Sequence, residues 1–111
     1  MTLKNLTNNT LICRDLKESK SFSDQIFGLL KQSNPRSLLF KTRFGIHTFF
    51  LKESIDVIVL DSKYRVVKIK ESLKPNSLFF WNPKHSVIIE FPKGTIRKAD
   101  ISQGNHFKLL S

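Results

Sequence analysis

The feature that most constrains this chain is a succession of short apolar runs after Asn34-Pro35, each closed by a turn signal before it could complete a helix. Ser37 to Lys41 supplies Leu38, Leu39 and Phe40, and Phe44 to Leu51 carries apolar residues on both parities, the pattern of a strand covered on both faces. Ile55 to Leu60 is continuously apolar apart from Asp56. Asp61-Ser62-Lys63 then leads into Tyr64 to Ile69, where Val67 and Ile69 alternate with Lys68 and Lys70, so the pair reads as a hairpin with one wet face. Leu78 to Trp81 is a short aromatic run between Lys74-Pro75-Asn76 and Asn82-Pro83. Val87, Ile89 and Phe91 alternate with Ser86, Ile88 and Glu90 up to the turn Pro92-Lys93-Gly94, and His106 to Leu110 adds a final strand.

Upstream, Leu11 to Leu16 reads as a short first strand, and Ser21 to Gln32 carries the helical signal. Phe22, Ile26, Leu29 and Leu30 share one face, Ser21 and Asp24 form a weak capping box, and Asn34-Pro35 ends the helix because a residue before proline avoids the α region. The expected fold is therefore α+β: a mostly antiparallel, strongly curved or barrel-like sheet of about six or seven strands with one main helix near the N-terminus.

At 111 residues the chain is one domain. Residues 1–10 are expected to be a flexible end and 11–111 a single compact domain. Such a length buries roughly 65% of the unfolded surface, enough for a core without disulfides or metal. The single cysteine, Cys13, excludes an internal disulfide and a cysteine-rich zinc site, and reads as a small buried hydrophobe. No run approaches the ~18 apolar residues that span a bilayer, and Met1 to Thr10 lacks the apolar core of a signal peptide. A cytoplasmic location is the expectation.

The formal charge is +10, yet it is divided evenly along the chain: nine basic and four acidic groups in residues 1–55, ten and five in 56–111. With no basic tail or arm, loose contact with polyanions is expected, and specific nucleic-acid binding is not.

Among polar residues, Asp56 shares strand parity with Ile58 and Leu60 and so points toward a core, where a carboxylate requires donors. It either pins the start of its strand by accepting backbone N–H groups or sits at the mouth of a pocket, with Arg43 and Lys52 as nearby cations. Glu90 shares parity with Ile88 and poses the same question. Were the two carboxylates to converge, repulsion would raise one pKa and make an acid/base pair. His47, His85 and His106 fit no ligand spacing, the four glycines form no phosphate loop, and no serine lies in a nucleophile elbow. No metal or cofactor is expected. Phe79, Phe80 and Trp81, near Lys74 and Lys84, read either as core packing or as stacking residues in a basic groove.

The segment Thr42-Arg43-Phe44-Gly45-Ile46-His47-Thr48-Phe49, followed by Ile55-Asp56-Val57-Ile58-Val59-Leu60-Asp61, resembles the signature of a widespread uncharacterised family, domain of unknown function number 192. Gly28-Leu29-Leu30, Leu38-Leu39-Phe40, Ile89-Glu90-Phe91-Pro92-Lys93-Gly94 and Gly104-Asn105 follow in the family's order. The departures are Phe50-Leu51-Lys52 in place of Gly-Met-Lys or Trp-Met-Lys, Ser54 in place of a proline, and Asn105 in place of an aspartate. The resemblance implies a compact strand-rich fold and brings no reaction, substrate or cofactor. The functional expectation is a noncatalytic module binding a small ligand or a protein around Arg43, Lys52, Asp56 and Glu90. The alternatives are a hydrolase-like enzyme pairing Asp56 with Glu90, and nonspecific nucleic-acid binding through net charge.

Overall fold

A computed structural model describes residues 1–18, 37–43, 45–49 and 51–110. At its centre lie β6, Ile55–Leu60, and β9, Val87–Pro92, paired antiparallel with Asp56 opposite Phe91, Val57 opposite Glu90 and Ile58 opposite Ile89. Strand β4, Leu38–Lys41, flanks β9, and β7, Val66–Leu73, flanks β6. A two-residue parallel edge, β3, Lys17–Glu18, completes the order β3-β4-β9-β6-β7.

Every residue of β6 is buried, as are the first five of β9. Only a sheet covered on both faces permits that, and it explains why these strands read as continuous apolar runs. Residues opposite each other in an antiparallel ladder point to the same face. On one face Leu39, Ile58, Ile89 and Phe91 meet Leu3, Ile96 and Phe107; on the other Phe40, Val57, Val59 and Ile88 meet Ile46, Phe79 and Trp81.

The first cover is a three-stranded sheet of order β10-β1-β2, built from β1, Thr2–Asn5, β2, Thr10–Cys13, and β10, Phe107–Leu110. A short helix, α1, Thr95–Lys98, adds Ile96 to it. The second cover is a two-stranded ribbon of β5, Gly45–His47, and β8, Leu78–Phe80. Ile46 lies opposite Phe79 and both face inward, whereas Leu78 and Phe80 face outward and are 57% and 59% exposed. Thr48 anchors the ribbon: its buried hydroxyl donates to the Lys74 carbonyl at 2.6 Å and accepts the Ser77 N–H at 2.9 Å.

Several expectations need correction. The described residues are mostly β, with ten strands in three sheets and no closed barrel, where six or seven strands in one curved or barrel-like sheet were expected. Distribution over three sheets follows from the central strands, which need a separate cover on each side. The helix among the described residues is α1, far from the N-terminus, so an α+β fold led by an N-terminal helix is not the architecture they show. The helical signal at Ser21 to Gln32 lies outside the described residues. Residues 1–10, read from sequence as a flexible end, hold β1, the middle strand of the three-stranded sheet, with Leu3 fully buried. Its alternation is only four residues long, too short to stand out among polar neighbours.

The hairpin β6–β7 is closed by Asp61, whose Oδ1 accepts the N–H groups of Lys63 and Arg65, each at 2.9 Å, and whose Oδ2 meets Arg65 Nε at 3.1 Å. Burial alone would raise this carboxyl, but the two backbone donors and the guanidinium outweigh it and hold the pKa below the ordinary value. A carboxyl depressed in this way stabilises fully above its unfolded pKa of about 3.9 and loses that contribution as pH falls through the lower folded value. Asp61→Asn is therefore expected to cost about 1 kcal/mol at neutral pH. The gap from the wild type should narrow in acid, as urea midpoints at about pH 7 and about pH 2 will show; a gap of constant size would refute the assignment.

Candidate functional site

Asp56 is the buried polar group around which a site is built. It is fully enclosed on the first face of the central sheet, in line with Ile58 and Leu60. In the β6–β7 ladder Ile55 pairs with Leu73 and Val57 with Lys70, so Asp56 stands opposite two residues, Glu71 and Ser72. Such a bulge releases an N–H from the ladder. Ser72, at φ 52°, donates that N–H to Asp56 Oδ1 at 2.9 Å. From the other side the turn after β9 contributes Gly94, at φ 92°, and α1 contributes Ile96, whose N–H groups reach Asp56 Oδ2 at 3.1 and 2.9 Å. Glycine suits this turn because its missing Cβ removes the penalty for a left-handed backbone.

These contacts form the floor of an open cleft of about 410 Å³. Its walls are Glu71 and Ser72 from the bulge and Lys93, Gly94, Arg97 and Lys98 from the turn and α1. Arg97 Nε lies 3.9 Å from Glu71 Oε1, with both side chains largely open to solvent, a contact too loose to neutralise the guanidinium firmly. The cleft thus joins three cations and one exposed carboxylate to a buried carboxylate already engaged by backbone donors.

The other residues singled out from sequence are not gathered here. Glu90 is buried, but it pairs with Val57 and therefore faces the second cover, on the side of the sheet opposite Asp56. The two carboxylates do not converge, because strand parity in one ladder separates them. Arg43 and Lys52 are exposed in the connections before β5 and β6, and among the described residues neither forms an ion pair with Asp56. Cys13 is half-buried: burial pushes its thiol up, against a hydrogen bond with Ser37, so it is not an activated nucleophile. No cluster of three histidine, cysteine, aspartate or glutamate side chains suited to a metal occurs among the described residues.

Sequence reasoning missed Glu71, Ser72, Lys93, Arg97 and Lys98. The adjacent pair Arg97-Lys98, just after a Pro-x-Gly turn, was the available signal for the cations. Nothing in the local sequence announces the bulge at Ser72. Also missed was Asn5, fully buried, whose Nδ2 donates to Asn105 Oδ1 at 2.8 Å. Asn105 Oδ1 accepts the Ser102 N–H at 2.8 Å as well, two bonds that an aspartate oxygen would accept equally.

The sequence matches the family model for domain of unknown function 192, described as "Uncharacterized ACR", over residues 5–109. The chain belongs to this family. A UPF0127 protein of Pyrococcus horikoshii is 37% identical over 86 residues, covering 72% of this chain and 74% of that protein. Another, of Pyrococcus abyssi, is 32% identical over 97 residues, covering 82% of each. Two crystal structures share the fold. One, a protein of unknown function from Novosphingobium aromaticivorans, has a TM-score of 0.77 at 13% identity, over 97% of this chain and 82% of that one. The other, described as a putative transcription regulator from Sinorhizobium meliloti, has a TM-score of 0.79 at 15% identity, over 96% and 89%. Within the family pattern noted from sequence, the Ile-Asp pair and the Pro-x-Gly turn meet in one contact, Asp56 with Gly94.

Asp56→Ala leaves three N–H groups without their acceptor and is expected to cost about 3 kcal/mol or more, at about 1–3 for each donor left unpaired in the interior. Asp56→Asn keeps one acceptor oxygen and should cost less. Urea denaturation measures both, and amide exchange should quicken first at Ser72, Gly94 and Ile96. Equal stability of Asp56→Ala and the wild type would show that the contact is idle.

Proposed function

We propose that this protein is a small noncatalytic binding module whose cleft takes a small anion, a carboxylate or a phosphate. One observation carries the reading: Lys93, Arg97 and Lys98 line a single concavity in which, among the described residues, the exposed counter-charge is Glu71 alone, held at 3.9 Å from Arg97. An incoming anion would gain charge-assisted hydrogen bonds there, about twice as strong as neutral ones. Of the residues first considered for binding, Asp56 keeps a part in this reading as the group that holds the cleft's floor and rim together. Arg43, Lys52 and Glu90 have none.

A binding role is favoured over a catalytic one by the state of Asp56. Three backbone donors occupy three of its roughly four lone-pair directions, which leaves little capacity for a general base. The paired-carboxylate reading has no support from the register, which sets Asp56 and Glu90 on opposite faces.

Titration of isotope-labelled protein with inorganic phosphate at low ionic strength tests the proposal. Saturable shifts are expected at the amides of Ser72, Gly94, Arg97 and Lys98. Arg97→Gln should weaken the apparent affinity about tenfold, the scale of one charge-assisted bond. Shifts that never saturate, or that scatter over lysines remote from the cleft, would overturn the reading.

A further inference from the structure

The outer face of the β5–β8 ribbon carries an arrangement that the cleft does not explain. Phe79 and Trp81 turn inward to the core, and Trp81 Nε1 donates to the His85 carbonyl at 2.8 Å. Phe80, between them, turns outward and is 59% exposed. Its ring is not loose: a Cβ placed on Gly45 would lie 2.5 Å from Phe80 Cδ1 and 3.0 Å from Cε1, so the ring rests against bare backbone that only glycine leaves free. One side of the ring is seated and the rest is open.

Beside it on the same face stand His47 and its cross-strand partner Leu78, 57% exposed. Gly45 and His47 are two residues apart along the strand, roughly 7 Å. The His47 ring stacks on Phe49 with centroids 4.8 Å apart and planes at 27°, and Phe49 is itself 39% exposed. Two flat, preset aromatic elements therefore follow one another along the ribbon. Lys68 is fixed against the ribbon: its Nζ donates to the Phe80 carbonyl at 2.7 Å and lies 5.0 Å from the centroid of the inward-facing Phe79 ring.

The charge on the ribbon and its connections is predominantly positive. Residues 42–54 and 74–86, which contain the two ribbon strands and their connections, include Arg43, Lys52, Lys74 and Lys84 against a single acid, Glu53. The two stretches are remote in sequence and are joined by the β5–β8 pairing. Together they carry four cations and one acid, a net positive charge within the +10 of the chain.

We propose that this ribbon face is a docking strip for single-stranded nucleic acid, read without sequence preference. Exposed aromatic rings give splayed bases a stacking surface, and surrounding cations track the phosphates. A duplex hides its base faces and gains only the electrostatic part. A second copy of the chain is disfavoured as occupant, because two bodies of charge +10 would meet through cationic surfaces.

Fluorescence anisotropy of the full chain with a labelled oligothymidylate 12-mer provides the test. Binding is expected at low salt and should weaken steeply as salt rises. Phe80→Ala should weaken it about tenfold without changing the salt slope, since a stacking contact is removed and no phosphate contact is. Phe80→Leu, which keeps apolar area but not the ring, should lose nearly as much and guards against a folding defect in the alanine variant. Amide shifts in the wild type on adding the oligomer should centre on Gly45, His47, Leu78 and Phe80, and a duplex of the same length should bind more weakly and ignore the Phe80 substitutions. The proposal fails if the 12-mer does not bind at low salt, or if binding is indifferent to Phe80. It also fails if polyglutamate, and not the oligomer, shifts the ribbon amides, which would assign the face to an acidic protein partner.

Discussion

One carboxylate holds together the segments on which this fold turns. Asp56 reaches from a wholly buried strand to backbone donors on Ser72 and on Gly94 and Ile96, in two segments far apart along the chain. A buried carboxylate without donors is costly, and a left-handed bulge or turn needs something to hold it. Each difficulty is relieved by the other. The bulge in β7 frees an N–H, the turn before α1 and the start of α1 present one each, and Asp56 accepts all three. The cationic cleft exists because this contact brings the end of β7 against the turn and helix that carry Lys93, Arg97 and Lys98.

The central sheet imposes the second constraint. With β6 and β9 covered on both faces, neighbouring residues along either strand belong to different halves of the molecule. Asp56 and Glu90 are one strand apart in the ladder and still serve different cores, since Glu90 pairs with Val57. Motifs that look like one constellation in a linear pattern are therefore divided by parity. The contact actually made, Asp56 with Gly94, links an aspartate to a turn glycine whose importance is conformational.

The same two-sided cover separates the aromatic run. Phe79 and Trp81 complete a core, and Phe80, between them, is sent to the surface by the period of the strand. Three consecutive residues are thereby divided, with Phe79 and Trp81 packed in the core and Phe80 exposed. Electrostatics follow the same path. Counted along the chain the charge is even, +5 in each half, yet the β5–β8 pairing joins two stretches, residues 42–54 and 74–86, that hold four cations against the single acid Glu53.

By itself the sequence determined that this is one strand-rich domain of its family, that β6 is a buried strand and that Asp56 faces a core, because apolar periodicity is local and survives without tertiary context. The positions of β4, β6, β9 and the β6–β7 hairpin were legible for that reason. Not legible were the strand at Thr2–Asn5, the division into three sheets, the bulge at Ser72 and the gathering of Lys93, Arg97 and Lys98. Only the tertiary structure decided these, since each depends on register between segments distant in sequence, and a shift of one residue in register exchanges the faces that two side chains share.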